Sequence, residues 1–107
     1  MTIDIWGLKT CDTCRKAIRA LPAARFRDVR AQPLDGDEIA ALLAEFGEAL
    51  VNRTSTTWRG LADADRATDP ARLLAAYPAL MKRPVIRADG AWHLGWSAQT
   101  RAALGVA

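Results

Sequence analysis

Residues 2–29 read TIDIWGLKT CDTCRKAIRA LPAARFRDV and predict a strand, a loop, a helix and a second strand. Apolar residues alternate with polar ones along Thr2–Trp6, which is typical of a strand with one buried face. Apolar residues then recur at helical spacing over Thr13–Leu21, until Pro22 ends the predicted helix. A weaker apolar pattern over Arg25–Val29 predicts the second strand. The N-terminal part of the chain is therefore expected to be a β-α-β unit.

Two cysteines, Cys11 and Cys14, stand at the start of this helix and are the only cysteines of the chain. A CxxC pair beside a β-α-β pattern is typical of a thioredoxin-like redox motif. The N–H groups and the dipole of a helix N-terminus favour an anion, and Arg15 and Lys16 add positive charge. We therefore expect a lowered pKa for Cys11, an effect that the neighbouring Asp12 limits. Cys14 is expected to serve as a second catalytic cysteine, a resolving thiol.

The same pair of cysteines permits two other interpretations. Nearby cysteines are often small core residues, and they also bind zinc. A zinc site needs about four ligands, whereas this chain offers two Cys and the single histidine His93. We assign no metal site. We give His93 no catalytic role, because its predicted place in a strand favours a structural one.

The middle of the chain is predicted to be helical. Asp35 and Glu38 form a capping-box pair, and apolar residues at helical spacing follow up to Gly47, a residue type favoured just after a helix end. A further helix is predicted over Trp58–Arg66. Another begins at Asp69-Pro70, where Asp suits the N-cap and Pro suits the first helical position.

The C-terminal part predicts a hairpin followed by a helix. Pro84–Arg87 and Ala91–Leu94 are apolar and β-prone, and Asp89-Gly90 between them is a strong hairpin signal. Ser97 can cap a last helix that runs through Leu104. The order of the elements predicts an α/β fold with a four-stranded mixed sheet and a helical segment inserted in its middle.

Composition limits the number of domains and the class of function. A chain of 107 residues has room for one core, so we expect a single domain over 1–107 with an insert at about 35–77. The net charge is +3, and no run of five basic residues occurs, so we expect no direct nucleic-acid partner.

No apolar run approaches the ~20 residues that cross a bilayer, and the N-terminus lacks the pattern of a secretory signal. We therefore expect a cytoplasmic protein without membrane association.

Two arginines are candidate binding residues by their context. Arg53 follows Asn52 in a polar loop, and Arg83 directly precedes Pro84 at the start of a predicted strand. Solvated surface side chains are one interpretation of both. The other is that their guanidinium groups bind an oxyanion or a substrate carboxylate.

Several motifs resemble the ArsC/Spx family and, within it, the small arsenate-reductase-like proteins of the YffB type. The resemblance extends over nearly the whole chain and depends on the order and spacing of the motifs. They are Gly7-Leu8-Lys9-Thr10-Cys11-Asp12-Thr13-Cys14-Arg15-Lys16-Ala17, Asn52-Arg53-Thr54 with Thr57-Trp58-Arg59, and Lys82-Arg83-Pro84-Val85-Ile86 with Leu94-Gly95-Trp96-Ser97.

The resemblance implies a thioredoxin-like fold with an all-helical insert, and a cis peptide bond at Arg83-Pro84. It also implies a thiol-disulfide oxidoreductase with Cys11 as the nucleophile and no bound cofactor. Glutathione would be the co-substrate, with a glutaredoxin- or thioredoxin-type protein as a further reductant. Arg53 and Arg83 match oxyanion-binding arginines, and we assign them to substrate binding together with Pro84 and Arg15.

Two departures from the family pattern lead to further expectations. A third arginine is implied just after the last strand, where this chain has Gly95. One charge-assisted contact contributes ~1.5–3 kcal/mol, so we expect arsenate to be a poor substrate. Cys14 resembles the redox-switch CxxC of Spx, a regulator that binds RNA polymerase. The alternative function is therefore a redox-sensing transcriptional regulator with a Cys11–Cys14 switch.

Overall fold

The computed structural model describes residues 2–106, which divide into two compact units, residues 2–32 with 83–106 and residues 33–82. Within the described residues there are four strands and six α-helices. The strands are β1 (Ile3–Gly7), β2 (Arg25–Asp28), β3 (Val85–Ala88) and β4 (Ala91–Leu94). The helices are α1 (Asp12–Ala20), α2 (Gly36–Phe46), α3 (Thr56–Arg59), α4 (Asp63–Arg66), α5 (Pro70–Ala76) and α6 (Ala98–Ala103).

The first unit contains a mixed sheet with the strand order β2-β1-β3-β4. Strand β1 pairs in parallel with β2 and antiparallel with β3, and β3 pairs antiparallel with β4. The β3–β4 hairpin turns at Asp89 and Gly90, whose φ angles of 49° and 87° are both positive, as a tight type I′ turn requires. The predicted α/β class and four-stranded mixed sheet are confirmed.

One face of this sheet packs against the helices of the same unit. Ile5 of β1 and Ile86 of β3 are paired in register, so their side chains point to the same face, and both are fully buried. Ala17 and Leu21 from the α1 region and Leu104 after α6 belong to the same apolar cluster. The core therefore holds α1 against β1, and the loop between them carries the first cysteine.

The second unit begins with α2, whose start is as predicted. The Asp35 carboxylate accepts the Glu38 N–H at 2.8 Å, and the Glu38 carboxylate accepts the Asp35 N–H at 3.0 Å, so the capping box is closed. An isolated antiparallel bridge joins Val51 to Met81. The buried apolar side chains of this unit come from α2, from α5 and from both sides of the bridge, and include Ile39, Leu42, Leu50, Leu73, Leu74 and Leu80.

The predicted helix over Trp58–Arg66 is wrong in its extent. The chain forms α3 and α4 instead, and α3 ends at Arg59 with Gly60 as its C-cap. Gly60, the C-cap of α3, is a residue type of low helix propensity and gives a local physical reason for the break. The Arg66 side chain then connects the two helices, because its Nε donates to the Trp58 carbonyl at 3.2 Å and its Nη2 donates to the Arg59 carbonyl at 2.8 Å. The Trp58 carbonyl also accepts the Leu61 N–H at 3.1 Å, a three-residue hydrogen bond in place of the four-residue bond of a continuous α-helix.

The starts of α5 and α6 follow the sequence signals. Asp69 accepts the Ala71 N–H at 3.4 Å with Pro70 at the first helical position. Ser97 accepts the Thr100 N–H at 3.1 Å.

In the part of the chain that the structure describes, no helix combines the length and the apolar character that a bilayer crossing requires.

Candidate active site

Cys11 occupies the N-cap position of α1, with extended backbone angles of φ −88° and ψ 123°. Its N–H donates to the Leu8 carbonyl at 3.0 Å, which closes a tight turn after β1, and its carbonyl accepts the Arg15 N–H at 3.0 Å. No side-chain hydrogen bond caps the helix. The residue is half-buried, so the turn presents the first cysteine at the helix start, partly open to solvent.

The surroundings of Cys11 favour its thiolate. Partial burial alone would raise the pKa of Cys11, but the backbone N–H and the thiol of Cys14, followed by the hydrogen bond and the charge of Arg83, outweigh burial and lower the pKa. The direction agrees with the sequence expectation. Its source differs, because the cation beside the sulfur is Arg83, which is distant in sequence, and not a residue of α1.

The second cysteine has a different environment. Cys14 is fully buried, with 0% of its surface exposed, and a Cβ added at Gly7 would overlap its sulfur. Burial first, and then the hydrogen bond and the negative charge of Cys11, raise the pKa of Cys14 to about 12. The site therefore favours the thiolate at Cys11 and keeps the buried Cys14 as a protonated thiol.

Arg83 and Pro84 directly precede β3 and are joined by a cis peptide bond, as the resemblance implies. Pro84 is fully buried, and its carbonyl accepts the Gly95 N–H at 2.8 Å. Gly95 follows β4 and has a positive φ of 81°. The position at which a third arginine is implied therefore lies beside the cis-proline, in a backbone conformation that favours glycine.

Arg15, predicted to bind substrate, is directed to the backbone of the cysteine loop. Its Nε donates to the Lys9 carbonyl at 2.9 Å. Its Nη1 lies 3.7 Å from the Asp12 carboxylate, which is largely exposed. The guanidinium of Arg15 thus connects the first turns of α1 to the loop that precedes it.

Asp28, a residue that the sequence analysis missed, binds the same loop from β2. Its carboxylate accepts the Lys9 N–H at 3.2 Å and the N–H groups of Arg30 and Ala31 at 2.8 and 3.2 Å. The hydrogen bond from Lys9 contributes most to lowering the pKa of Asp28, and those from Arg30 and Ala31 add to it. The signal available in the sequence was an Asp near the end of a predicted strand, a residue type that often accepts hydrogen bonds from the backbone two or three residues on.

Arg53 belongs to the second unit. The Asn52 side chain accepts hydrogen bonds from the N–H and the hydroxyl of Thr54, at 3.0 and 2.8 Å, and so shapes the turn that carries Arg53. The Arg53 guanidinium lies 5.4 Å from the centre of the Trp58 ring, and its Nη2 lies 3.8 Å from the Glu48 carboxylate. The two motifs that contain Arg53 and Trp58 are thus parts of one local structure.

The first unit brings together Cys11, Cys14 and Arg83, with Pro84 next to Arg83. A thiolate beside a thiol donor and a guanidinium can attack an electrophilic sulfur and bind an anionic group of the same substrate. Among residues 2–106, no group of three or more His, Cys, Asp or Glu side chains is placed to hold a metal ion.

Comparison with known proteins identifies a family model and a relative that match most of this chain. The model of the ArsC family matches residues 6–104 of the chain. An uncharacterized protein of Haemophilus influenzae is 35% identical over 104 residues, which cover 89% of this chain and 91% of that protein.

Two solved structures are similar in both sequence and fold. The YffB protein is 32% identical with a TM-score of 0.85, covering 95% of this chain and 97% of its own. An arsenate reductase (ArsC) related protein from Brucella melitensis is 33% identical with a TM-score of 0.75, covering 99% and 97%. The thioredoxin-like fold and the YffB-type resemblance are confirmed. Because the model of the ArsC family matches nearly the whole length of this chain, the chain belongs to the ArsC family.

Proposed function

We propose that the chain is a thiol-disulfide oxidoreductase in which the Cys11 thiolate is the nucleophile and glutathione is the co-substrate. The observation that carries this proposal is the placement of Cys11 at the start of α1, between the thiol of Cys14 and the guanidinium of Arg83. The thiolate is the nucleophilic form of cysteine. The Brucella melitensis relative, named as related to an arsenate reductase, supports a reductase of the same broad class.

The reaction that we propose begins with a mixed disulfide between a substrate thiol and glutathione. The Cys11 thiolate attacks the glutathione sulfur, a bond forms between these two sulfurs, and the substrate leaves as a thiolate that takes up a proton. The thiolate of a second glutathione then attacks the glutathione sulfur held on Cys11. Oxidised glutathione leaves, and the Cys11 thiolate is restored. In sum, the mixed disulfide is reduced and two glutathione units are joined in a disulfide.

The second glutathione is needed because Cys14 is unsuited to displace the first. A resolving cysteine must itself become a thiolate, whereas burial is the main reason that the pKa of Cys14 is raised to about 12. Burial remains when Cys11 carries an adduct and its negative charge is gone. We therefore assign Cys14 to stabilising the Cys11 thiolate, and we assign the second displacement to an external thiol.

Arg83 supplies the contact that we propose for substrate. Glutathione carries two carboxylates, and a guanidinium binds a carboxylate through paired N–H donors. Arg83 is already at the sulfur, so we assign it to a carboxylate of glutathione. Arsenate is expected to be reduced poorly, because Gly95 supplies no cation where the family pattern has one.

A turnover screen tests the proposal. Arsenate and a set of glutathione mixed disulfides would be offered with excess glutathione to the wild type, Cys11→Ser and Cys14→Ala. We expect turnover of mixed disulfides by the wild type, loss of turnover in Cys11→Ser and slower but continuing turnover in Cys14→Ala, which loses the thiol that stabilises the nucleophile but not the external resolving thiol. Equal turnover by the wild type and Cys11→Ser would contradict the proposal.

The regulator alternative needs a disulfide between Cys11 and Cys14, and the burial of Cys14 argues against it. Capture from lysate by the oxidised and the reduced protein separates the two functions. Capture of the RNA polymerase α subunit that depends on oxidation would favour the regulator. Steady turnover with glutathione, without such capture, would favour the enzyme.

A further inference from the structure

We propose that Asp28 and Arg15 are positioning residues that hold the backbone of Lys9 by its N–H and by its carbonyl, and so fix the loop that presents Cys11. This inference rests on the proposed function only in treating Cys11 as the reactive residue. It replaces the expected role of Arg15 in substrate binding with a role in aiming the thiolate.

The loop is held at three points, although its tip is exposed. Lys9 and Thr10 are exposed residues, whose backbone groups would ordinarily bind water. Instead, the Lys9 N–H donates to the Asp28 carboxylate at 3.2 Å and the Lys9 carbonyl accepts the Arg15 Nε at 2.9 Å. The preceding carbonyl, that of Leu8, accepts the Cys11 N–H at 3.0 Å. Two of the three contacts thus come from side chains on other elements.

Asp28 is itself firmly placed beside the loop. It is the last residue of β2 and pairs in register with Gly7, the last residue of β1. The Val29 N–H donates to the Gly7 carbonyl at 2.9 Å, which continues the pairing beyond the strand. The carboxylate reaches back to Lys9 from this anchored position. The Lys9 N–H above all, the N–H groups of Arg30 and Ala31, and then the Lys9 ammonium lower the pKa of Asp28. They favour the ionised carboxylate, which is the stronger acceptor.

Arg15 holds the other side of the loop from α1. Its own N–H donates to the Cys11 carbonyl at 3.0 Å, so its backbone follows the cysteine by one helical turn. Its side chain returns to the Lys9 carbonyl, with the Asp12 carboxylate 3.7 Å from the guanidinium. Any shift of the loop relative to α1 would therefore break this hydrogen bond.

The hydrogen bonds to Lys9 fix the direction in which the Cys11 sulfur points. Its thiolate is stabilised by groups at defined positions, the N–H and thiol of Cys14 and the guanidinium of Arg83. Electrostatic stabilisation of this kind falls off when the anion moves out of line with its donors. A loop released at Lys9 would leave Cys11 in the chain but would weaken these contacts.

The test is the pH dependence of alkylation at Cys11, which requires no substrate. Iodoacetamide labelling would be followed by mass spectrometry for the wild type, Asp28→Ala, Asp28→Asn and Arg15→Ala. For the two alanine variants we expect the labelling rate of Cys11 at pH 6.5 to fall about three- to tenfold, with a smaller change at pH 10. Asp28→Asn keeps an acceptor oxygen and should restore much of the rate.

Asp4→Asn is the matched control, because Asp4 is an aspartate of the same sheet that pairs with Arg25 at 2.8 Å, on the neighbouring strand. It should lower stability without changing the labelling profile of Cys11. Wild-type profiles in both Asp28→Ala and Arg15→Ala, with normal circular dichroism, would overturn the proposal. If Asp28→Ala does not fold, the labelling profiles of Arg15→Ala and Asp28→Asn test the proposal. A wild-type profile in Arg15→Ala would then overturn it. Absence of reductase turnover would refute the proposed function and leave this result standing.

Discussion

The sulfur of Cys14 lies against the backbone of Gly7, so closely that a Cβ added at residue 7 would overlap it. Gly7 ends β1, and Cys14 lies in the first turn of α1. The contact therefore sets how near the start of the helix stands to the end of the strand. Glycine is required at residue 7 by this close approach, and the second cysteine fills the space that the missing side chain leaves.

Gly7→Ala is expected to destabilise the protein by about 1–3 kcal/mol, the usual range for forcing extra atoms into a packed core. The measurement is urea unfolding followed by circular dichroism. Gly36→Ala is the matched control, because a Cβ at residue 36 would meet no atom within 4 Å beyond its chain neighbours and the backbone of its own helix. Gly36→Ala should leave stability unchanged or slightly raised. Equal effects of the two substitutions would contradict the close contact.

The same contact predicts coupling between residues 7 and 14. Removing the sulfur with Cys14→Ala should relieve most of the overlap caused by Gly7→Ala. The double variant should therefore be more stable than the sum of the single effects implies, by about 1 kcal/mol or more. Additive effects in the unfolding free energies would show that the two residues do not touch.

Arg83→Gln is expected to slow alkylation of Cys11 at pH 7 by about three- to tenfold, because it removes the cation that favours the thiolate. Arg87→Gln is the control. Arg87 is an exposed arginine of β3 whose guanidinium lies 5.1 Å from the centre of the Trp92 ring. Its removal should leave the labelling rate unchanged. A rate for Arg83→Gln equal to that of the wild type would rule out Arg83 as the stabilising group.

Cys14 is expected to make the protein less stable as the solution becomes alkaline. In the unfolded chain its thiol loses the proton near pH ~8.5, whereas the folded protein retains the proton up to about pH 12. The unfolded state then binds fewer protons, so this contribution to stability is present below pH ~8.5 and declines as the pH rises. Unfolding free energies from pH 7.5 to 10 should fall more steeply for Cys11→Ser than for Cys11→Ser/Cys14→Ala. Parallel curves would contradict the buried, protonated state of Cys14.

Gly95→Arg restores an arginine at the position where the family pattern has one, but the positive φ of 81° makes the substitution costly. A side chain in this conformation costs about 1–2 kcal/mol. Gly95→Ala should show the same loss of thermal stability and so separate the backbone effect from the added charge. With glutathione and glutaredoxin supplied, we expect poor arsenate reduction by the wild type. Efficient reduction by the wild type would contradict the importance of the missing arginine.

Much of the fold could be predicted because its signals are short-range. The capping box of Asp35 and Glu38, the turn at Asp89-Gly90 and the cap at Ser97 each depend on residues one to three positions apart. Neighbouring residues in the sequence therefore suffice to predict the geometry of these caps and of this turn. The division of Trp58–Arg66 into two helices falls at Gly60, a residue type of low helix propensity, so a local signal for it was present. The hydrogen bonds from the Arg66 side chain to the Trp58 and Arg59 carbonyls depend on the direction of a long side chain, which no local pattern specifies.

The candidate site could be predicted only in part, for the same reason. The CxxC spacing and the helix start identify Cys11. The cation at its sulfur is Arg83, which is brought there by the pairing of β3 with β1. The hydrogen bond from the Lys9 N–H to the Asp28 carboxylate likewise depends on the pairing of β2 with β1. The cis bond before Pro84 came from the family resemblance alone, because most X–Pro bonds are trans.

The most direct measurement of the role of Cys11 is intact-mass and peptide analysis after a single addition of oxidised glutathione at neutral pH. The structure leads us to expect one glutathione on Cys11, a free thiol at Cys14, and full recovery of the unmodified protein when excess glutathione is added. Rapid conversion to a Cys11–Cys14 disulfide, or glutathione on Cys14 with Cys11 unmodified, would contradict a cycle in which Cys11 reacts and an external thiol releases it.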